Sequence, residues 1–178
     1  RCFMLDQDAR RIATATKYLG DSAVAEDIRA DLRLAAAQAH FLRGDFADAA
    51  RLIKEHRLDQ TADGYLLNCQ LLWESGDRTG ALAELDAALA VFPAGVRLLE
   101  MKARWLKENG EFSRAKDTLD LLAISQPGRP GPLIQSLYLL PGEEGRVRRE
   151  ALTEKIIATF GTQEQPMLDL ARFGNDTA

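Results

Sequence analysis

Asp63-Gly64-Tyr65-Leu66-Leu67-Asn68-Cys69-Gln70-Leu71-Leu72-Trp73-Glu74-Ser75-Gly76-Asp77-Arg78-Thr79-Gly80-Ala81-Leu82-Ala83-Glu84-Leu85-Asp86-Ala87-Ala88-Leu89-Ala90-Val91-Phe92-Pro93 decides how the chain reads. Two apolar-periodic segments flank Ser75-Gly76-Asp77, the first running to Glu74 and the second starting near Arg78. Glycine adopts the left-handed conformation that ends a helix. The aspartate after it sits near the positive end of the next helix. Pro93 cannot continue that second helix. The stretch therefore predicts one helical hairpin.

Related text lies on both sides. Gly44-Asp45, Gly76-Asp77 and Gly110-Glu111 recur at intervals of 32 and 34 residues. Five positions after each glycine stands Ala49, Ala81 or Ala115, and four further on Ile53, Leu85 or Leu119. Seven positions before each glycine stands Ala37, Cys69 or Ala103. Small residues at those places let two helix backbones approach to the short end of the roughly 8–10 Å packing range. A lone hairpin cannot bury its own apolar face, so three copies at this period predict stacked hairpins.

Working outward, the apolar pattern predicts helices over 6–19, from Asp21-Ser22 through Leu42, and over 46–56. Further helices are expected over 96–109 and 112–124, then, after Gln126 to Pro132, over 143–160 and 165–173. A short apolar segment, 133–140, lies between. Asp6 or Asp8 is expected to cap the first helix, and Gly20 to end it. Ala9, Ile12, Ala13, Thr16 and Leu19 share a stripe on it. Expected inward positions elsewhere include Ile28, Leu32, Ala35, Ala36, Ala39 and Leu42, then Ala49, Ala50, Leu52 and Ile53. In the last third they are Val147, Ala151, Leu152, Ile156 and Ile157.

The three copies resemble tetratricopeptide repeats, whose pattern is Trp-x-x-Leu-Gly-x-x-Tyr, then Ala-x-x-x-Phe, then Pro. The middle copy aligns as Tyr65, Asn68, Cys69, Leu72, Ala81, Leu85 and Pro93. The third gives Leu99, Lys102, Ala103, Leu106, Ala115, Leu119 and Pro127, and the first Arg33, Ala36, Ala37, His40, Ala49 and Ile53 without the proline. No copy matches every family position. The resemblance implies an all-α, right-handed α-solenoid of stacked antiparallel hairpins. Its repeats would be 30–61, 62–95 and 96–129, with a partial repeat at 1–29 and a degenerate repeat or capping helices at 130–178.

The resemblance also implies that the first helix of each hairpin lines a concave groove for a partner's peptide or helix. That carries the groove onto Gln38 and Phe41, then Gln70, Trp73 and Glu74, then Arg97, Met101, Arg104 and Lys107. Phe41 and Trp73 would anchor an apolar side chain, and Arg97, Arg104 and Lys107 would favour acidic groups. Some members of the family grip a terminal carboxylate with a Lys/Asn/Arg clamp. The matching places here hold Leu34, Gln38, Leu67, Arg97 and Met101, so such a clamp is not expected. Leu66 and Leu67 read as packing residues, and Trp105 as core.

Composition bounds the alternatives. Net charge is −4 with 28% charged residues, which gives no bulk attraction to nucleic acid or an anionic surface. The densest basic cluster, Arg146, Arg148, Arg149 and Lys155, is interleaved with Glu143, Glu144, Glu150 and Glu154 and reads as a helix with internal ion pairs. His40 and His56 are the only histidines, with no ligand cluster at metal spacing, and no phosphate loop or nucleophile motif occurs. Neither cofactor nor catalytic residue is expected. Two cysteines do not make a disulfide framework, and Cys69 reads as a small buried hydrophobe. No apolar run reaches the roughly 20 residues of a membrane span. The start at Arg1 suits a processed or excised piece, which leaves two alternatives to a self-sufficient scaffold. One is an accessory region of a larger enzyme or of a secretion or envelope assembly. The other is self-association through the stack ends. The cytoplasm is favoured over the periplasm.

Overall fold

A computed structural model describes residues 2–19, 24–140 and 145–176, with the side chains of 2–9, 16, 175 and 176 outside that description. The described chain is all-α, with no β-strand among the described residues. Helices α1 (Cys2–Leu19), α2 (Glu26–Arg43), α3 (Phe46–His56), α4 (Ala62–Glu74) and α5 (Arg78–Val91) precede Pro93. Helices α6 (Val96–Glu108), α7 (Phe112–Ser125), α8 (Gly131–Leu137), α9 (Arg146–Phe160) and α10 (Glu164–Asp176) follow it. The chain divides into two compact units, Arg1–Pro93 and Ala94–Ala178.

The three expected helix breaks share one backbone conformation. Gly44, Gly76 and Gly110 all have positive φ, at 86°, 90° and 78°. Their N–H groups donate to the carbonyls of Phe41, Trp73 and Lys107 at 2.9, 3.1 and 3.0 Å. The next N–H, of Asp45, Asp77 or Glu111, donates to His40, Leu72 or Leu106 at 2.9, 3.0 and 2.8 Å. Each break thus satisfies two orphan helix carbonyls in the same way. The acidic residue then takes up near-identical dihedrals in all three copies (φ −80 to −86°, ψ 60 to 70°) and its carbonyl accepts from Ala49, Ala81 or Ala115.

Nothing lies within 4 Å of a Cβ built on any of the three glycines, so only backbone strain resists substitution there. Gly76→Ala is expected to cost about 1–2 kcal/mol, the left-handed penalty of an L-residue. The check is the shift in urea midpoint. A change within error would mean that the break does not need its left-handed residue.

Across those breaks α2 packs on α3, α4 on α5 and α6 on α7. The nine small and branched positions that define the period are all buried: Ala37, Cys69, Ala103, Ala49, Ala81, Ala115, Ile53, Leu85 and Leu119. The copies differ at their ends. Phe92 and Gln126, each before a proline, hold extended φ values of −123° and −133°, as the proline ring demands of its predecessor. The first copy lacks that proline. Its α3 closes on a left-handed Arg57 (φ 51°) and a 3₁₀ turn, Leu58–Gln60, whose Leu58 is buried with Ile53, Leu67 and Leu71.

In the unit ending at Pro93, α1 packs along α2. Helix α1 is already helical upstream of Asp6 and Asp8, so neither caps its start, and among its described side chains Ala15, not Ala13, is buried. Helix α2 begins at Glu26, its cap being Ala25 in an extended conformation. Its buried stripe is Ala36, Ala37 and Ala39, which leaves Ala35, Ile28 and Leu42 outward. Ala50, expected inward on α3, is likewise exposed. Gly20, Asp21-Ser22, Pro141-Gly142 and Glu143-Glu144 lie outside the described residues.

In the second unit, α8 packs against α7, α9 and α10. Leu133, Ile134 and Leu137 of α8 cluster with Ile156 and Phe160 of α9 and Phe173 of α10. Tyr138 meets Phe173 edge-on, with ring centroids 4.9 Å apart. The inward row of α9 is Leu152, Ile156 and Phe160, spaced by four. Val147, Ala151 and Ile157 fall off that row and are exposed, against expectation. Two buried hydroxyls are satisfied within their own helices: Thr118 donates to the Arg114 carbonyl at 2.8 Å and Ser136 to the Pro132 carbonyl at 3.1 Å. Helix α10 continues through 174–176, beyond the 165–173 expected from the sequence.

Candidate functional site

The groove positions expected in the first unit are largely engaged by their own surroundings. Phe41 is half-buried against the cluster of Ala37, Ile53 and Leu67, and its ring lies 5.5 Å from that of Phe46. Gln38 and Gln70 are half-buried, and Glu74 is exposed at the end of α4. Trp73 is half-buried, and the Arg78 guanidinium sits 5.2 Å from its ring centroid across the Gly76 turn. That cation–π contact ties the two helices of the hairpin together. It also covers ring surface that a partner's side chain would otherwise take. Beside these residues, Asn68 donates to Glu84 at 3.0 Å between α4 and α5.

Cys69 lies at the fully buried crossing of the same hairpin. Burial, with the Glu84 carboxylate adding to it, pushes its thiol from the ordinary 9.0 up to about 12. The unfolded chain ionises this thiol first. The stabilisation is complete below about pH 9 and is lost as pH rises towards 12. The expected result is an extra fall in urea midpoint between pH 8 and pH 10 that a Cys69→Ala chain does not show. Equal slopes in the two chains would contradict the buried thiol.

In the second unit the expected residues separate into three groups. Met101 is only 8% exposed. It belongs to a helix buried on most of its surface, with Leu98, Leu99, Ala103, Trp105 and Leu106, and it is not a groove residue. Arg97 is exposed at the start of α6, on the row that continues as Glu100, Arg104 and Glu108. It is not among the residues that line the neighbouring cleft. Arg104 and Lys107 do line it.

That cleft has a volume of ≈ 450 Å³ and lies between α6, α7, α8 and the turn joining α7 to α8. Arg104, Lys107 and Arg129 supply three cations, and Glu100 is the sole carboxylate among its lining residues. Leu119 and Leu122 lie beneath it, almost wholly buried, and Gln126 and Gln135 contribute neutral amides. Arg129 donates to Gln126 at 3.0 Å and lies 3.8 Å from Glu100. Lys107 donates to the Gln135 amide oxygen at 3.1 Å, a neutral partner. Arg104 stands 3.9 Å from Glu108. These exposed ion pairs are worth little, on the order of 0–1 kcal/mol each, and an incoming carboxylate can exchange with them.

Gln126, Arg129 and Gln135 were not among the expected site residues. The run Gln126 to Pro132 reads as a terminator, and Gln135 sits in a helix of seven residues. The signal available in the sequence was the repeat itself. The proline of the third copy starts the return towards another helix packed beside α7, and Arg129 is the one charged residue in that return.

The basic cluster on α9 is partly compensated within its helix. Arg146 pairs with Glu150 at 2.8 Å, and Arg149 donates to the Leu140 carbonyl. No described helix is long and apolar enough to cross a membrane. Neither the protein-family models nor the curated proteins yield a match to this chain.

Proposed function

We propose that this chain is a non-enzymatic protein-interaction module of tetratricopeptide-like hairpins, stacked as a right-handed solenoid, whose α6–α7–α8 cleft takes an acidic segment of a partner protein. The repeat reading rests on three helix breaks with the same dihedrals and hydrogen bonds, and on nine periodic positions that are all buried. The binding reading rests on one observation: three cations converge on a cleft with a single carboxylate, in a chain whose net charge is −4. Guanidinium groups there offer paired N–H donors to a carboxylate. In a chain of net charge −4, the cations of the cleft fix where the acidic segment sits as well as how tightly.

Affinity purification with quantitative mass spectrometry tests this reading. Arg104→Glu combined with Lys107→Glu is expected to reduce recovery of the specific partners at least tenfold while the helical CD spectrum is unchanged. Two charge reversals in one contact account for a loss of that size. The same partners recovered at undiminished yield would remove the cleft from the account.

A further inference from the structure

A second hollow in the Ala94–Ala178 unit, of ≈ 610 Å³, lies between α7, α8 and α9 and shares no lining residue with the cationic cleft. Its base is apolar, with Leu133, Leu140 and Phe160 buried in it, and Ile124 stands at its edge 75% exposed. One wall is a row on α9: Arg148, Ala151, Leu152 and Lys155. The row is apolar in the middle and cationic at both ends. Seven residues at 1.5 Å rise place the two cations about 10 Å apart along the helix. The helical neighbours of Lys155 three and four residues away are Ala151, Leu152, Ala158 and Thr159, none of which carries a carboxylate. On the α7 side, Lys116 and Asp120 pair with each other at 2.6 Å and cancel. The groove therefore presents apolar surface bracketed by two positive charges.

We infer that this groove is a second docking site, for an amphipathic partner helix with the pattern acid-x-x-apolar-apolar-x-x-acid. Such a helix sets two carboxylates at the same seven-residue spacing as Arg148 and Lys155. Between them, its apolar pair meets Ala151, Leu152 and the exposed face of Ile124. This is helix-in-groove recognition, in which apolar burial supplies affinity and the flanking charges fix register. The charge complementarity selects an acidic helix over a neutral one.

The probe is a fluorescein-labelled 18-residue helical peptide carrying that pattern, titrated with the whole chain at low salt and followed by anisotropy. Its counterpart has lysine in place of both acids. Saturable binding is expected for the acidic peptide, about tenfold weaker to the Arg148→Glu/Lys155→Glu chain. Binding of the lysine peptide to that variant should be restored. The comparison is repeated in the Arg104→Glu/Lys107→Glu background, where the cationic cleft no longer draws acidic peptides, and the tenfold effect of Arg148→Glu/Lys155→Glu should persist there. Equal binding to the unaltered and Arg148→Glu/Lys155→Glu chains would overturn the assignment. So would disappearance of the tenfold difference in the Arg104→Glu/Lys107→Glu background. Sedimentation velocity adds one more overturning result: a concentration-dependent dimer abolished by Ile124→Lys would give the face to a second copy.

Discussion

Leu85→Ala is expected to lower stability by about 2–5 kcal/mol. Leu85 has 0% of its surface exposed and stands one turn after Ala81 on α5, the helix that packs along α4. Small residues already occupy the crossing, with Cys69, Ala81 and Ala88 all fully buried. Backbones this close cannot move further inward to fill the space a deleted isobutyl group leaves. The transfer term and the cavity term therefore both apply. Chemical denaturation of the two chains checks this. A loss under 1 kcal/mol would mean that the hairpin collapses around the vacancy and that its core is loosely specified.

Gly64→Ala is expected to destabilise the chain by about 3 kcal/mol, the upper end of the overpacking range. In an ordinary helix the same change stabilises by about 1 kcal/mol. The opposite sign comes from the first turn of α4. A Cβ at position 64 would lie 1.7 Å from the Leu58 carbonyl oxygen and 2.4 Å from its carbon. Both are backbone atoms of a 3₁₀ turn whose Leu58 side chain is anchored in the core. Thr61 ties the two segments together, accepting from the Gly64 N–H at 3.1 Å and donating to the Leu58 carbonyl at 3.0 Å. Gly80 is the control. The three atoms nearest its added Cβ all belong to the Asp77 carboxylate, the closest at 2.2 Å, on an exposed side chain that can swing away. Losing that cap costs about 0.5–2 kcal/mol, and the gain in helix propensity of about 1 kcal/mol offsets most of it. Near-neutral Gly80→Ala beside damaging Gly64→Ala is the expected pair. Similar effects at both sites would contradict the close approach of the 3₁₀ turn to α4.

The contrast between those glycines shows what the sequence carries and what it does not. The breaks at Gly44, Gly76 and Gly110 were legible because a left-handed residue followed by an acid recurs at fixed distance from small residues. The limits of α3 and the break between α4 and α5 followed from that punctuation. Gly64 gave no such signal, since its need arises from a turn that only the proline-less first copy makes. Helix faces were less legible than helix ends. Ile28, Leu42, Val147 and Ile157 are apolar but point outward, because α2 and α9 carry apolar residues on more of their circumference than their neighbours cover.

The candidate site was legible in half. Arg104 and Lys107 were found from their place on the first helix of the third hairpin, and they share a cleft. Met101 was assigned to the same face, but α6 is buried on most of its surface and takes it inside. Phe41 and Trp73 kept their places yet have partners of their own, the Phe46 ring and the Arg78 guanidinium. Arg129 escaped because helical periodicity says nothing about a residue held between glycine and proline in a turn.

The most direct measurement is an NMR titration of the labelled chain with an N-acetylated, glutamate-rich peptide, read at the arginine Nε–Hε resonances. Saturable shifts are expected at Arg104 and Arg129, with Arg51, which is held between Asp48 and Glu55 on α3, unmoved. Unmoved Arg104 and Arg129, or equal shifts at all arginines, would contradict a binding role for the cleft.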